Sequence, residues 1–267
     1  MTEAAPRDKE KVTTRDDSIN LPKISVITAC FNSEATVGRT IASVNEQTYS
    51  NVEHVFVDGA SNDTTLSVIK QASRRAQRML SEPDEGIYDA LNKGIALATG
   101  DVIGFLHADD FYANPDVLSA IADRFRDHSV DAVYGDLQYV SQLNPDKIIR
   151  HWHTRTFTER RLKRGWMPPH PTLYIRKPWY ERIGGFDTRY RIAADYFFML
   201  QLFSHSDFDA CYIPDVLVKM RVGGASNRSV NNIIQKSRED FDALRRTGVG
   251  GINTLLAKNL RKLGQFF

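Results

Sequence analysis

The chain has 267 residues, of which 25% are charged and 42% hydrophobic, and its formal net charge at pH 7 is +2. This composition is ordinary for a soluble globular protein, and the length allows one large domain or a domain with an appendage. The two cysteines, Cys30 and Cys211, exclude a zinc ribbon and a disulfide scaffold and fit a reducing compartment.

Residues 1–22 are charged, lack periodicity and end at Pro22. We predict a disordered leader there, because such a segment buries too little apolar surface to fold. Its polar start also indicates that there is no secretory signal. No apolar run along the chain approaches about 18 residues, so we expect no segment that spans a bilayer.

After the leader, short apolar runs alternate with segments of helical period. This alternation through residue 130 predicts a mainly parallel, doubly wound α/β sheet. The predicted strands are Ile24–Cys30, Val52–Val57, Met79–Ser81 and a buried run that starts at Val102. The predicted helices follow the turn and cap residues Asn32–Ser33, Ser61–Asp63, Gly86 and Asn114–Pro115.

The pattern changes after Asp131 to a mixture of shorter elements. Three prolines within residues 168–171 forbid a helix or a central strand there. The other predicted elements are an antiparallel pair Asp131–Val140 and Lys147–His153, a surface helix or mobile loop at Arg155–Arg164, a strand Leu173–Arg176, a turn Gly184–Asp187, a helix Asp195–Phe203, one or two strands in Tyr212–Arg221 broken at Pro214, and helices at 229–246 and 252–265.

The C-terminal segment is strongly basic. From Lys219 to the end there are ten Lys and Arg residues against three acidic ones. Such a tail favours an anionic partner surface, either membrane headgroups or nucleic acid. A solvated helical tail without a partner explains the charges equally well. Nucleic acid is the weaker partner, because no groove-reading or aromatic-interleaved motif accompanies the charges.

Two adjacent carboxylates, Asp109 and Asp110, end the strand that starts at Val102. In open α/β sheets the ligand crevice lies beyond the carboxyl ends of the strands. Paired hard oxygen ligands at such a place suit Mg²⁺ or Mn²⁺. The alternative is that these acids only cap the helix that begins near Asn114.

With these motifs in place, the chain resembles the bacterial family-2 glycosyltransferases of the GT-A fold. The resemblance covers residues 23–222, and the stretch from Glu82 to Asp101 is its most specific part. It implies a single catalytic domain with a mixed sheet, divided into a nucleotide-sugar half at 23–130 and an acceptor half at 131–222. Residues 223–267 then form a basic helical appendage.

The resemblance also assigns roles in binding the nucleotide-sugar donor. The end of the first strand contacts the nucleotide, the end of the second accepts a hydrogen bond from the base, and the segment before and within the third helix follows the ribose and diphosphate. Helix capping for Asp58 and simple exposure for Lys93 are the alternatives kept open. The residues at these positions are Thr28, Asn32, Asp58, Asp84, Gly86, Asn92 and Lys93.

Asp109 matches the metal-binding acid of the family's Asp-x-Asp motif, and Mn²⁺ or Mg²⁺ is the implied cofactor. His107 stands where many members carry the first acid, so Asp110 is expected to supply part of the missing charge or to hold a water on the metal. Asp195 matches the general base, although Ala194 precedes it in place of the usual Glu. Three interpretations of His170 stay open: it contacts the metal, it contacts the acceptor, or it only packs.

The implied function is inverting transfer of a sugar from a nucleotide diphosphate, most simply UDP, to a glycan or lipid-linked acceptor of surface polysaccharide or lipopolysaccharide. The implied location is cytoplasmic, with peripheral contact to the anionic inner face of the plasma membrane. The alternatives are a non-catalytic nucleotide-sugar-binding protein and a sugar-phosphate nucleotidyltransferase. Asp136 is expected to be structural or to face the acceptor. The sequence leaves the sugar, the acceptor, the linkage and the oligomeric state open.

Overall fold

The computed structural model describes residues 21–222 and 230–263. The strands are β1 Ile24–Cys30, β2 Val52–Asp58, β3 Ala76–Ser81, β4 Val102–Phe105, β5 Phe111–Tyr112, β6 Ala132–Val140, β7 Ile148–Trp152, β8 Tyr174–Arg176 and β9 Ala210–Arg221. The helices are α1 Val37–Asn45, α2 Thr65–Ala72, α3 Ile87–Leu97, α4 Val117–Arg124, α5 Glu159–Leu162, α6 Lys177–Ile183, α7 Ala194–Ser204, α8 Val230–Thr247 and α9 Ile252–Leu263, with a 3-10 turn at His170–Thr172.

One mixed sheet runs through both halves of the predicted domain. Within the described residues its order is β3-β2-β1-β4-β8-β6-β9-β5, with β7 paired to β6. The first four strands are parallel, β8 is antiparallel to both β4 and β6, and β6 and β9 are parallel. The predicted α/β class is confirmed, and the carboxyl ends of β1, β2 and β4 lie at the same edge of the sheet.

Strands β1, β2 and β4 of the parallel region are buried on both faces, as is typical of continuous apolar runs. Every residue of β1 and β2 is buried. Helix α3 lies close against β1 because Gly94 has no side chain, and a Cβ there would collide with Ile27. On the neighbouring strand, a Cβ at Gly104 would collide with the buried ring of Tyr174. The two glycines therefore allow α3 to pack close to β1 and the ring of Tyr174 to pack close to β4.

Among the element boundaries that differ from the sequence expectation are those of β3, α4 and β9. Strand β3 begins at Ala76, three residues before the predicted start, as an exposed edge strand. Helix α4 begins at Val117, and Asn114 instead accepts a hydrogen bond from the Asp116 amide at 2.9 Å. Strand β9 continues through Pro214 because its pairing with β6 shifts register there, and such a bulge accommodates a proline that lacks a donor.

The ends of the chain only partly meet their predictions. Most of the expected leader, residues 1–20, lies outside the described residues, as do 223–229 and 264–267. Pro22, which the sequence placed in the leader, is buried, and its carbonyl accepts a hydrogen bond from the Tyr49 hydroxyl at 2.6 Å. In the tail, α8 packs on α7 and buries Ala243 and Leu244 in the core. No described helix is long and apolar enough to cross a membrane.

Glu53 on β2 gives a stability prediction. Its buried carboxylate accepts hydrogen bonds from Lys23 Nζ, from Ser25 Oγ and from the Thr99 amide, each at 2.6 Å. Burial raises its pKa, but these hydrogen bonds outweigh burial and lower it to about 2. The ionised group therefore stabilises the fold fully above its unfolded pKa near 4.5, and this stabilisation is lost as the pH falls toward 2.

We expect Glu53→Gln to lower the free energy of unfolding at pH 7 by about 2–3 kcal/mol. Urea unfolding at pH 7 and at pH 3 measures the effect, and the gap between wild type and variant should narrow at the lower pH. Glu159→Gln is the control, because that side chain is 82% exposed and its one ion pair among the described residues is with Lys163. A gap that is independent of pH would contradict the role given to the charge.

Candidate active site

A cavity of about 1610 Å³ opens at the edge of the sheet where β1 and β4 end. Its walls come from the loops after these strands, the start of α3, the start of α7 and the tail helices α8 and α9. Ligand crevices of open α/β sheets occupy this position. Of the predicted site residues, four line it: Asn32, Asp109, His170 and Asp195.

Asp109 faces this cavity from the loop after β4, together with His107. The loop is held by Arg221, whose Nη1 donates to the Asp109 carbonyl oxygen at 3.2 Å. The Asp109 carboxylate has no hydrogen bond or ion pair with another described residue. It is therefore available to an external ligand.

Asp110, the neighbouring acid, has a different environment. It is fully buried, does not line the cavity, and neither of its carboxylate oxygens has a hydrogen-bond partner among the described residues. Burial and the charge of Asp109 raise its pKa well above the usual range. The expected role of Asp110, which is to supply part of the charge on the metal or to hold a water there, stays a prediction, and its carboxyl group lies on the buried side of the loop after β4.

Asp195 lies in the first turn of α7 and faces the same cavity as Asp109. The Tyr88 hydroxyl is 3.0 Å from its Oδ1 and 2.7 Å from the Ile192 carbonyl oxygen. Burial raises the pKa of Asp195, but His170, Lys236 and Tyr88 outweigh burial, so the pKa lies below its ordinary value. Since His170 acts only when protonated, Lys236 and Tyr88 stabilise the carboxylate near pH 7.

Glu239, on α8, fixes the backbone that leads into Asp195. Its carboxylate accepts hydrogen bonds from the amides of Arg191, Ile192 and Ala193 at 3.1, 2.8 and 2.9 Å. A residue of the basic appendage therefore positions the predicted base. Nothing in the sequence pattern indicates this contact, because it joins residues more than forty positions apart.

His170 is held within an aromatic cluster beneath the cavity. Its ring lies 5.0 Å from Phe105, 5.4 Å from Phe186 and 6.4 Å from His107, measured between ring centres. Burial lowers the pKa of His170 to about 4, so the imidazole is neutral at pH 7. Its Nε2 is buried without a hydrogen-bond partner among the described residues.

The residues predicted to bind the nucleotide fall into two groups. Asn32 lines the cavity with a left-handed φ of 48°, and its side chain accepts a hydrogen bond from the Asn62 amide at 3.0 Å. Thr28 is fully buried, and its hydroxyl lies 2.7 Å from the Leu106 carbonyl oxygen. Asp58 is also buried and accepts hydrogen bonds from Ser61 and Ser81. Thr28 and Asp58 thus shape the strand ends and do not line the cavity.

The segment before α3 keeps its predicted place next to the end of β2. Gly86 begins the helix with φ 120°, a conformation that favours glycine, and its amide donates to Asp84 Oδ1 at 2.9 Å. A Cβ at Gly59 would collide with the Asp84 carboxylate, so Asp84 lies directly against the loop after Asp58. The turn from Asp58 to Ser61 and the start of α3 therefore form one continuous polar rim.

Asn92 and Lys93 do not line the cavity. The Asn92 amide pairs with the Phe186 backbone through two hydrogen bonds of 2.8 and 2.7 Å, which holds the Gly184–Asp187 turn against α3. Lys93 Nζ binds the Pro83 carbonyl oxygen at 2.9 Å and pairs with Glu82 and Asp89. Their predicted donor contacts stay a prediction, and the contacts described here pack the helix against the turn and against the segment before it.

Asp109 is a hard oxygen ligand that faces the cavity, so it suits the implied Mn²⁺ or Mg²⁺, although the described residues around it do not form a complete set of metal ligands. Among the described residues, the one group of three side chains whose ligating atoms lie within 4.8 Å of one another is Asp136, His151 and His153. A single cavity-facing carboxylate is nevertheless enough for these ions, because they bind through one or two carboxylates plus substrate phosphates. Asp109 would hold the ion with the diphosphate of a donor.

The second half of the domain contributes the histidines that the sequence argument missed. His151, in β7, and His153, just after it, both line the cavity next to Asp136 of β6. Burial and His153 lower the pKa of His151, against the opposing charge of Asp136. Their spacing of two in a predicted strand was the available signal, since alternate residues of a strand share a face.

Residues 25–191 match the model of the family described as glycosyl transferase family 2. A relative from Mycobacterium tuberculosis H37Rv, named as the uncharacterized glycosyltransferase Rv1514c, is 34% identical over 188 residues, which are 67% of this chain and 68% of the relative. The chain belongs to glycosyl transferase family 2. A second family member from that organism, the PGL/p-HBAD biosynthesis glycosyltransferase Rv2957, is 32% identical over 79% of this chain and 81% of its own length.

Solved glycosyltransferases share the fold of this family-2 chain. The mannosyltransferase PcManGT from Pyrobaculum calidifontis, solved with GDP-Man and Mn²⁺, aligns with a TM-score of 0.65 at 21% identity over 91% of this chain and 71% of that one. S. aureus TarS, solved with UDP-GlcNAc, aligns with a TM-score of 0.63 at 18% identity over 85% and 66%. The predicted GT-A fold is confirmed, and the protein is a glycosyltransferase.

Proposed function

We propose that this protein is an inverting glycosyltransferase that moves a sugar from a nucleotide diphosphate, most simply UDP, to a glycan or lipid-linked acceptor of surface polysaccharide or lipopolysaccharide. The observation that carries the proposal is that Asp109, in the loop after β4, and Asp195, in the first turn of α7, line the same cavity. A carboxylate available to a metal and a second, ionised carboxylate are the two groups that single displacement at a sugar carbon requires.

Asp195 acts as the base in this proposal. It takes the proton of the acceptor hydroxyl as that oxygen attacks the anomeric carbon from the face opposite the diphosphate, which inverts the configuration. Tyr88 and the backbone held by Glu239 keep the carboxylate in place. Asp109 would hold Mn²⁺ or Mg²⁺ together with the donor diphosphate, and such an ion would neutralise the charge that develops on the departing nucleotide.

The donor lies against the polar rim at the ends of β1 and β2. Asn32 offers its side chain from the cavity wall, and Phe31 next to it is an exposed aromatic ring that a base can stack on. Gly86 exposes the first amides of α3 to a phosphate, which the helix dipole also favours. Asp58 and Asp84 fix the loop that carries these contacts.

A donor screen tests the proposed activity. UDP and GDP release from a panel of nucleotide sugars should identify one donor whose slow hydrolysis requires Mn²⁺ or Mg²⁺. Both nucleotides belong in the panel, since PcManGT was solved with GDP-Man and TarS with UDP-GlcNAc. If calorimetry shows donor binding but no acceptor gives turnover, the alternative of a non-catalytic nucleotide-sugar-binding protein is favoured. The reason to consider that alternative is that His107 stands in place of an acid of the metal motif. Binding of neither nucleotide would contradict both.

We also propose that the appendage makes peripheral contact with an anionic inner membrane, at its cytoplasmic face. Ile252, Leu256 and Leu260 are exposed and follow one another at intervals of four, so they form one stripe along α9. Ile233 and Ile234 add exposed apolar surface on α8. Lys258 does not take part, since its ammonium binds the buried Asp240 at 2.8 Å.

Flotation on vesicles tests this contact. We expect wild-type protein to bind vesicles that contain phosphatidylglycerol, and the double variant Leu256→Ser, Leu260→Ser to lose most of that binding because its apolar stripe is gone. Leu143→Ser is the matched control, because Leu143 is 96% exposed on the loop between β6 and β7. Equal flotation of the double variant and the wild type would remove α9 from the contact.

A further inference from the structure

Three side chains of the acceptor half converge on one point. Asp136 Oδ2 lies 2.9 Å from His153 Nδ1 and 3.7 Å from His151 Nε2, and all three ligating atoms fall within 4.8 Å of one another. The strand pairing explains the convergence. Leu137 of β6 is opposite Trp152 of β7, so the residues that flank this pair project together to the other face.

The carboxylate of Asp136 is already oriented toward the histidines. Its Oδ1 accepts hydrogen bonds from the Thr154 amide and the Tyr212 hydroxyl, both at 2.8 Å. These contacts fix the group and leave Oδ2 directed at His151 and His153. Outer hydrogen bonds of this kind orient the ligands of metal sites and tune their affinity.

The hydrogen bond between Asp136 and His153 explains only part of this arrangement. Nε2 of His151 is buried and has no hydrogen-bond partner among the described residues. A buried polar atom without a partner costs about 1–3 kcal/mol, and a bound ion is one of its explanations. The imidazole rings of His151 and His153 also lie only 3.7 Å apart between centres, so two potential nitrogen ligands lie beside one carboxylate.

We propose that a divalent transition metal, represented here by Zn²⁺, binds at a site separate from Asp109. Its protein ligands are Asp136, His151 and His153. Imidazole with carboxylate suits Zn²⁺, whereas Mg²⁺ prefers oxygen ligands alone. Bonds near 2.1 Å at a tetrahedral angle separate ligating atoms by about 3.4 Å, which the observed 2.9 and 3.7 Å bracket. Three protein ligands leave one position open, and because both histidines line the cavity, that position takes water or an oxygen atom from the cavity.

The test is equilibrium Zn²⁺ binding by the full chain with any affinity tag removed. The protein is stripped with a chelator and titrated in competition with a chromophoric Zn²⁺ indicator. We expect one tight site per wild-type chain and a loss of affinity of roughly 100-fold in His151→Ala and in His153→Ala. His153 is 67% exposed, so its variant should fold normally. Tyr212→Phe keeps the ligands but removes one of the two hydrogen bonds that orient Asp136, so it should weaken binding by about 10-fold.

Two controls separate this site from other sources of Zn²⁺ affinity. His205→Ala removes a histidine that lies 4.0 Å from Asp207 without a third ligand, so it should leave Zn²⁺ affinity unchanged. Asp109→Ala should also leave Zn²⁺ affinity unchanged, and this outcome keeps the proposal distinct from the transferase reaction. Equal affinity of wild type and His153→Ala, or no tight site in the wild type, would overturn the proposal.

Discussion

Replacing Asp195 by asparagine should lower kcat by roughly 10³-fold while the affinity for the donor stays within about twofold. The carboxylate is a cavity-facing group that can accept the acceptor proton, and asparagine keeps its shape without its basicity. Tyr88 still finds an oxygen to donate to, so the structure of the α7 start should persist. Steady-state transfer with the donor found by the screen, together with calorimetric donor binding, measures the two quantities.

The pH profile gives a second readout of the same residue. Because the pKa of Asp195 lies below its ordinary value of 3.8, the base stays ionised throughout the neutral range. We expect kcat of the wild type to show no acid limb above about pH 5. Tyr88→Phe removes one of the groups that stabilise the carboxylate and should shift any acid limb to higher pH.

Asp207→Asn is the matched control for Asp195→Asn. It removes the charge of an aspartate just after α7 that is 57% exposed and pairs with Arg182 at the surface. Its kcat should be that of the wild type, because exposed ion pairs contribute little. If Asp195→Asn retained wild-type kcat, another group would have to be the base, and His170 would be the first candidate in the same cavity.

The sequence could predict the parallel part of the sheet because its signals are local. Continuous β-branched runs, helical periodicity and turn formers place β1, β2 and β4 and the helices between them. Pro214 shows the limit of such signals. A proline predicts an interruption of the strand, yet the shift of register between β6 and β9 accommodates it, and that shift depends on a partner far along the chain.

The site residues likewise divide into those that the sequence could place and those whose contacts it could not predict. Asp109 could be placed at the cavity because it ends a strand whose position the fold dictates, and Asp195 because it matches the base of the family that the chain resembles. Asn92 and Lys93 lie in a motif as specific as any in the chain, but which way their side chains point depends on the Phe186 backbone and on the Pro83 carbonyl. Glu239 belongs to a helix that the sequence marks only as basic and amphipathic.

Replacing Asp109 by alanine should abolish metal-stimulated nucleotide release, with a loss of at least 100-fold, or about 3 kcal/mol of transition-state stabilisation. The loop offers no substitute carboxylate. His107 occupies the position of the other acid, and Asp110 is buried behind the loop without lining the cavity. Hydrolysis of the screened donor with and without Mn²⁺ measures the effect, and calorimetry shows whether the metal still tightens donor binding.

His107→Asp and Asp110→Asn make this prediction sharper. An aspartate at position 107 adds a second hard ligand to the cavity wall, so half-maximal release should need less Mn²⁺ than in the wild type. Asp110→Asn changes a buried carboxyl group that does not line the cavity, so metal dependence should persist. Metal-stimulated release that survives Asp109→Ala but disappears in Asp110→Asn would move the metal contact to Asp110 and require the loop after β4 to turn over when donor binds.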